Sequence, residues 1–208
     1  MKNIYKIIVS ILMCAIIILW SILFTIKFKH IYYFSIDKFK IHSDSSLEKY
    51  EIKNNYNYLI DYLTSNNTSE FKLPTLSSSP EGTHHFIEVK NIFYFIKTAF
   101  YVCYFSFICI SLFLLSKGIR ILKEALKLSS IFLLSLIGSI CFSFINFQKS
   151  FDIFHNIMFK NDYWMFYPEK DPIINILPEG FFALCFFFIL LLIFINSIIM
   201  LIFSRNSN

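Results

Sequence analysis

The chain has 208 residues, of which 56% are hydrophobic, 20% aromatic and only 16% charged. A soluble domain carries roughly a quarter charged residues, so this balance excludes an ordinary water-soluble fold and indicates a membrane protein. The net charge of +5 gives no reason to invoke nucleic acid, because it reduces to an asymmetry between two sides of a membrane. Cys14, Cys103, Cys109, Cys141 and Cys185 all fall in apolar segments without C-x-x-C spacing. They read as small buried hydrophobes, and the polar segments hold no cysteine for a disulfide framework.

Four uncharged stretches approach the roughly 20 helical residues needed to cross a bilayer. They run from Ile7 to Ile26, Thr98 to Ser116, Leu128 to Gln148 and Gly180 to Ser204. The first follows Lys2 and Lys6 like a signal peptide, but its core is long and no small-x-small cleavage site follows it, so it is expected to remain as an anchor. With both termini inside, the cytoplasmic side holds Lys2, Lys6, Lys117, Arg120, Lys123, Lys127 and Arg205 against Glu124. The segments 27–90 and 149–179 carry as many or more acids than lysines, and the positive-inside rule puts both outside. The expected fold is an all-α membrane protein, one integral domain over 1–208. Its four transmembrane helices lie at about 7–26, 91–116, 128–148 and 180–204, and the two extracytoplasmic segments cap the bundle.

In the first outer segment, the aromatic-basic run from Lys27 to Phe34 suits the headgroup region. Leu47, Tyr50, Ile52, Tyr56, Leu59, Ile60 and Leu63 follow helical spacing after Ser45 or Ser46 as cap, which predicts an amphipathic helix over 46–63 that lies on the membrane or covers the bundle. Asn66 to Ser69 reads as a turn with a glycosylation-type pattern. Ser79-Pro80-Glu81 is a helix start, with Ser79 as N-cap, Pro80 at the first position and Glu81 in the first turn. No proline follows until Pro168, so one helix is expected to run from here through the second span. His85 then lies one or two turns outside the membrane boundary.

In the second outer segment, Ser150 or Asp152 is a suitable cap for a short helix carrying Phe151, Phe154, His155, Met158 and Phe159. His155 would lie near that helix's N-terminus, where the dipole favours the neutral ring. Tyr163, Trp164, Phe166 and Tyr167 follow, and Pro178-Glu179 suits the first turn of the last helix.

Two histidines stand out because each has an acid at i,i+3: His85 with Glu88, and Asp152 with His155. A carboxylate that orients an imidazole is the support a general base needs. The short connection between the second and third spans is expected to bring the pair together. The neutral alternative is that a histidine near a membrane helix end is interfacial or structural, and His30 and His42 are read so. No metal site is expected, since no H-E-x-x-H or H-x-x-E-H pattern appears and His84 and His85 diverge by about 100° on one helix. Neither a serine-nucleophile motif nor a phosphate-binding glycine loop is present.

Glu81-x-x-x-His85-Phe86-x-Glu88-Val89-Lys90, Phe151-x-x-x-His155 with Asn161-Asp162-x-Trp164, and Asp171-Pro172 with Leu177-Pro178-Glu179 stand in register with the four spans. Together they resemble the bacterial lipoprotein intramolecular transacylases (Lit), over nearly the whole chain. Position relative to Val89-Lys90 selects His85 over His84. The resemblance implies transfer of the sn-2 acyl chain of a diacylglyceryl-modified N-terminal cysteine to that cysteine's own α-amino group. His85 and His155 would share base and acid roles, with Glu88 and Asp152 orienting them and Trp164, Tyr163, Lys90 and Asp162 contacting substrate. It implies no cofactor. The partners it implies are diacylated lipoproteins and membrane lipid, with no stable protein partner, at a bacterial cytoplasmic membrane with the active site facing outside. A non-catalytic membrane sensor or complex subunit is the competing reading, and zinc-dependent hydrolysis a third.

Overall fold

The computed structural model describes residues 2–66 and 70–206, without the side chains at 44, 143 and 206; the expected turn at Asn66 to Ser69 thus lies largely outside the described residues. All regular structure there is helical. The helices are α1 (Lys2–Lys27), α2 (His30–Lys38), α3 (Ile41–Ser45), α4 (Lys49–Thr64), α5 (Pro80–Ser116), α6 (Leu122–Ile140), α7 (Phe147–Met158) and α8 (Glu179–Asn206), with 3-10 turns at Cys141–Phe144 and Pro172–Ile176. The chain divides into two compact units, one of Met1–Phe24, Ile96–Phe142 and Phe187–Asn208, the other of Thr25–Phe95 and Ser143–Phe186.

The first unit is apolar outside as well as inside. Ile4, Ile11, Val102, Phe105, Leu112, Leu115, Phe187 and Phe203 all present exposed side chains, as a lipid-facing surface requires. Helix contacts within it use small residues. Ser10 Oγ donates to the Lys6 and Ala125 carbonyls, and Ser129 Oγ donates to Ser10 O at 3.2 Å and Ala125 O at 2.8 Å. Ala125, Ser129 and Ser130 are fully buried, and side chains this small let helix backbones approach closely in lipid.

Among the described residues, α1, α5 and α8 are long and apolar enough to cross a membrane. The expected third span over 128–148 is divided: α6 stops at Ile140, and a 3-10 turn precedes α7. Its uncharged part, from Leu128, covers roughly 20 Å at 1.5 Å per residue, short of the roughly 30 Å hydrocarbon thickness. Asn146 caps α7, its side chain accepting from Lys149 N–H at 3.0 Å, and such a side-chain acceptor competes with continued helix.

The second unit has a dense core built from α2, α4, the 3-10 turn Pro172–Ile176 and the start of α8. Tyr32 is fully buried, stacks on Tyr56 at 3.6 Å between ring centroids, meets Phe181 edge-on, and donates its hydroxyl to Ile176 O at 2.7 Å. The amphipathic helix forms as α4, with Ile52, Tyr56, Leu59, Ile60 and Leu63 buried in this core. Its cap is Glu48, in a reciprocal capping box with Glu51, rather than Ser45 or Ser46. Tyr50 departs from the predicted face and is 78% exposed.

Candidate active site

The site begins with how α5 starts. Ser79 is the N-cap: its Oγ accepts from Gly82 N–H at 2.9 Å and its carbonyl accepts from Thr83 N–H at 2.9 Å. Ser79 is itself held by Asp171, which is 4% exposed. Asp171 Oδ1 accepts from Ser79 N–H and Oδ2 from Ser79 O–H, each at 2.7 Å. Gly82 is required by this packing, since a Cβ there would lie 2.2 Å from Asp171 Oδ1. Thus the first turn of α5, three residues before His85, is fastened to the loop that precedes α8.

His85 is 6% exposed. Its ring lies against Phe159 at 4.7 Å, Phe166 at 5.5 Å and Phe86 at 5.8 Å between centroids. The His155 ring is 6.2 Å away, so the structure brings together the two histidines that the sequence singles out. The His155 ring packs against Phe151 at 4.0 Å and Trp164 at 4.8 Å between centroids. Its Nδ1 lies 2.8 Å from the Phe151 carbonyl oxygen. A carbonyl only accepts, so this contact puts the neutral ring's proton on Nδ1 and leaves a lone pair on Nε2.

Both imidazoles are held neutral. Burial lowers the His85 pKa to about 4, helped by the neighbouring His155 and His84. Burial also lowers His155, against opposing effects of its bond to Phe151 and of Asp152. The helix dipole does not act as the sequence suggests. Because α7 begins at Phe147, His155 falls in its last turn, not its first, where the dipole favours the charged ring. Desolvation is the larger effect.

A folded-state pKa below the unfolded 6.5 means the unfolded chain binds more protons between the two values. The stability that neutral His85 contributes is therefore complete above about pH 6.5 and is lost as pH falls towards about 4. The expected result is a thermal midpoint in detergent that falls over this window, with a shallower fall in His85→Phe. Equal slopes in the two proteins would contradict it.

The expected carboxylate partners lie elsewhere. Glu88 Oε1 accepts from Asn161 Nδ2 at 2.9 Å and is 3.6 Å from His84 Nε2, instead of pairing with His85. At i,i+4 the angular offset is about 40°, against about 60° at i,i+3, so His84 is the nearer neighbour on the helix surface. Asp152 accepts from Gln148 Nε2 at 3.1 Å, while the carbonyl of Phe151 orients His155. The predicted contact residues also separate. Tyr163 meets His84 edge-on at 5.4 Å, Lys90 Nζ sits 4.0 Å from the Tyr62 ring centroid, and Asp162 is exposed. Of these, Trp164 alone has a ring contact with one of the paired histidines. His84, with a half-exposed side chain, is expected to tolerate replacement: His84→Ala should retain turnover within about 3-fold, well below the 10²-fold or more that loss of a general base costs, and a larger loss would shift the role to His84.

Three polar atoms around this pair are buried and have no hydrogen-bond partner among the described residues: His85 Nδ1, Glu88 Oε2 and Trp164 Nε1. Native interiors rarely leave such atoms unpaired, and those they do leave need an explanation. No group of three His, Cys, Asp or Glu among the described residues is placed to hold a metal ion. Phe159, Phe166, Asp171 and Ser79 are site components that sequence reasoning did not assign to the pair. The aromatic richness of 151–167 was the one signal for the first two.

The profile of lipoprotein intramolecular transacylase Lit matches residues 7–182. An in meso structure of the membrane integral lipoprotein intramolecular transacylase Lit from Bacillus cereus is similar with 36% identity, a TM-score of 0.92, and coverage of 99% of this chain and 94% of that one. Structures of that protein with H85R and H85A mutations are similar with 37% identity and a TM-score of 0.84, covering 99% of this chain and 91% and 92% of theirs. No curated protein sequence matches. On a profile match over most of its length and structural likeness end to end, this chain belongs to the lipoprotein intramolecular transacylase (Lit) family.

Proposed function

We propose that this membrane acyltransferase moves the sn-2 acyl chain of a diacylglyceryl-modified lipoprotein cysteine to the α-amino nitrogen of the same cysteine. The observation that carries the reading is the neutral pair of buried His85 and half-buried His155, 6.2 Å between centroids, against an aromatic wall. Family membership sets aside the reading as a non-catalytic sensor.

The α-amino nitrogen attacks the acyl carbonyl carbon, the sn-2 ester C–O bond breaks, and an amide forms. One proton leaves nitrogen and one arrives at the glycerol oxygen, so the step is an isomerisation that needs no co-reactant. His155 Nε2, with its free lone pair, takes the amine proton. His85 hydrogen-bonds the glycerol oxygen, which then receives the proton from the His155 imidazolium, so the pair shares base and acid work. An amine of pKa near 8 needs no stronger base than imidazole. Holding ester and amine in one molecule supplies proximity. Phe151, Phe159, Phe166 and Trp164 surround the pair and keep out water, which would otherwise compete as nucleophile. The unpaired Glu88 Oε2 offers an acceptor to the α-ammonium before it loses its proton, a role in place of orienting His85. Asp152 supports His155 only at longer range, and Tyr163, Lys90 and Asp162 contact the headgroup side of the substrate.

The membrane reading is part of the proposal. Both termini lie in the cytoplasm, residues 1–208 form one integral domain, and α6 with the turn that follows completes a fourth crossing near 128–148. The site faces outward from a bacterial cytoplasmic membrane, which the basic residues at 117–127 support. The test is to express the chain in cells that make only diacylated lipoproteins and to analyse N-terminal lipopeptides by mass spectrometry. N-acyl lyso-form peptides are expected only in cells with the protein; an unchanged diacyl profile would end the reading.

A further inference from the structure

We propose that Trp164 is a catalytic residue, its indole N–H donating to the acyl carbonyl oxygen as negative charge builds there. The proposal deepens the reading above and rests on it. An acyl transfer passes through a tetrahedral centre whose oxygen becomes anionic, and a preorganised donor aimed at it is commonly the largest single contribution to rate. The histidines are committed to the amine and the glycerol oxygen, so the carbonyl oxygen needs a donor of its own.

Trp164 meets the requirement on three grounds. Indole N–H is a donor only, never an acceptor. Here Nε1 is buried and has no hydrogen-bond partner among the described residues. And the ring is stacked on His155 at 4.8 Å with a 30° interplanar angle, so the ring that carries the donor lies against the ring that carries the base. A tryptophan that merely anchors a protein at the membrane surface turns its N–H to headgroups and water. This one turns it inward. The loop that carries it is built to hold that direction: Asn161 Oδ1 accepts from Tyr163 N–H at 3.1 Å while Asn161 Nδ2 donates to Glu88 on α5 at 2.9 Å, and Met165 N–H donates to Asp162 O.

The test uses purified full-length protein in detergent with a synthetic diacylglyceryl-cysteine peptide. Trp164→Phe keeps an aromatic ring against His155 and removes the N–H. A second variant with benzothienylalanine at 164 replaces N–H by sulfur at the same ring size, so that packing is retained. The expected result is a kcat lower by about 10²–10³-fold in both, with KM within about 2-fold, and partial recovery in Trp164→His, which restores an N–H. Wild-type kcat in the benzothienylalanine variant, or a loss confined to KM, overturns the oxyanion role while leaving the acyl-transfer reading intact. An inactive wild-type protein overturns both.

Discussion

His85→Ala and His155→Ala are each expected to cut formation of the N-acyl lyso product by about 10²–10⁴-fold, the range that a positioned general acid or base contributes. The two losses should differ in kind. In the proposed mechanism His155 takes the amine proton, so its loss is expected to appear in kcat and to be eased by raising pH, which deprotonates the substrate amine without help. His85 is buried deeper, against Phe159 and Phe166, and its removal also leaves a cavity among aromatic rings, so a lower thermal midpoint should accompany the lost turnover. The double variant is expected to be little worse than the worse single one, because residues acting as a unit are not additive. Lipopeptide mass spectrometry gives the product ratio. Full lyso-form product from either variant would remove that residue from the mechanism.

The second large effect is structural and lies at Asp171. Asp171→Ala strips the partners from the half-buried backbone N–H and hydroxyl of Ser79 and loosens the cap of the helix that presents His85. Two hydrogen bonds to a carboxylate at about 1.5–3 kcal/mol each give an expected loss of about 3 kcal/mol or more. Asp171→Asn, which keeps an acceptor, should lose less. Gly82→Ala is expected to fail similarly, because its Cβ would lie 2.2 Å from Asp171 Oδ1 and could be accommodated only by breaking the carboxylate's bonds to Ser79. Thermal midpoints in detergent, read beside product formation, test this. An Asp171→Ala protein with an unchanged midpoint would show that the cap is not what holds α5 in place.

Local signals in the chain were legible where the chemistry is local. Ser79-Pro80-Glu81 predicted the start of α5, and the absence of proline beyond it predicted one helix through Ser116. The spacing of Ile52, Tyr56, Leu59, Ile60 and Leu63 predicted α4 and its buried face. His85 and His155 were picked out by residue type and by nearness to spans, and their pairing followed from a short connection between neighbouring helices. Residues 128–147 are uncharged throughout, so they gave no sign that α6 ends at Ile140 and that α7 starts afresh at Phe147 behind its Asn146 cap.

What each histidine touches was settled by tertiary structure. The i,i+3 acids looked like natural partners, yet His155 is oriented by a backbone carbonyl, and every residue type has one of those. Glu88 is drawn to His84 and to Asn161, 73 positions away, and Asp171 fastens Ser79 across 92. Sequence alone determined that this is a helical membrane protein carrying two histidines beside its spans. Only the folded chain decided that His85 is buried and His155 half-buried, both neutral and walled by Phe159, Phe166 and Trp164, because desolvation and hydrogen-bond partnership belong to groups that meet in space, whatever their distance along the chain.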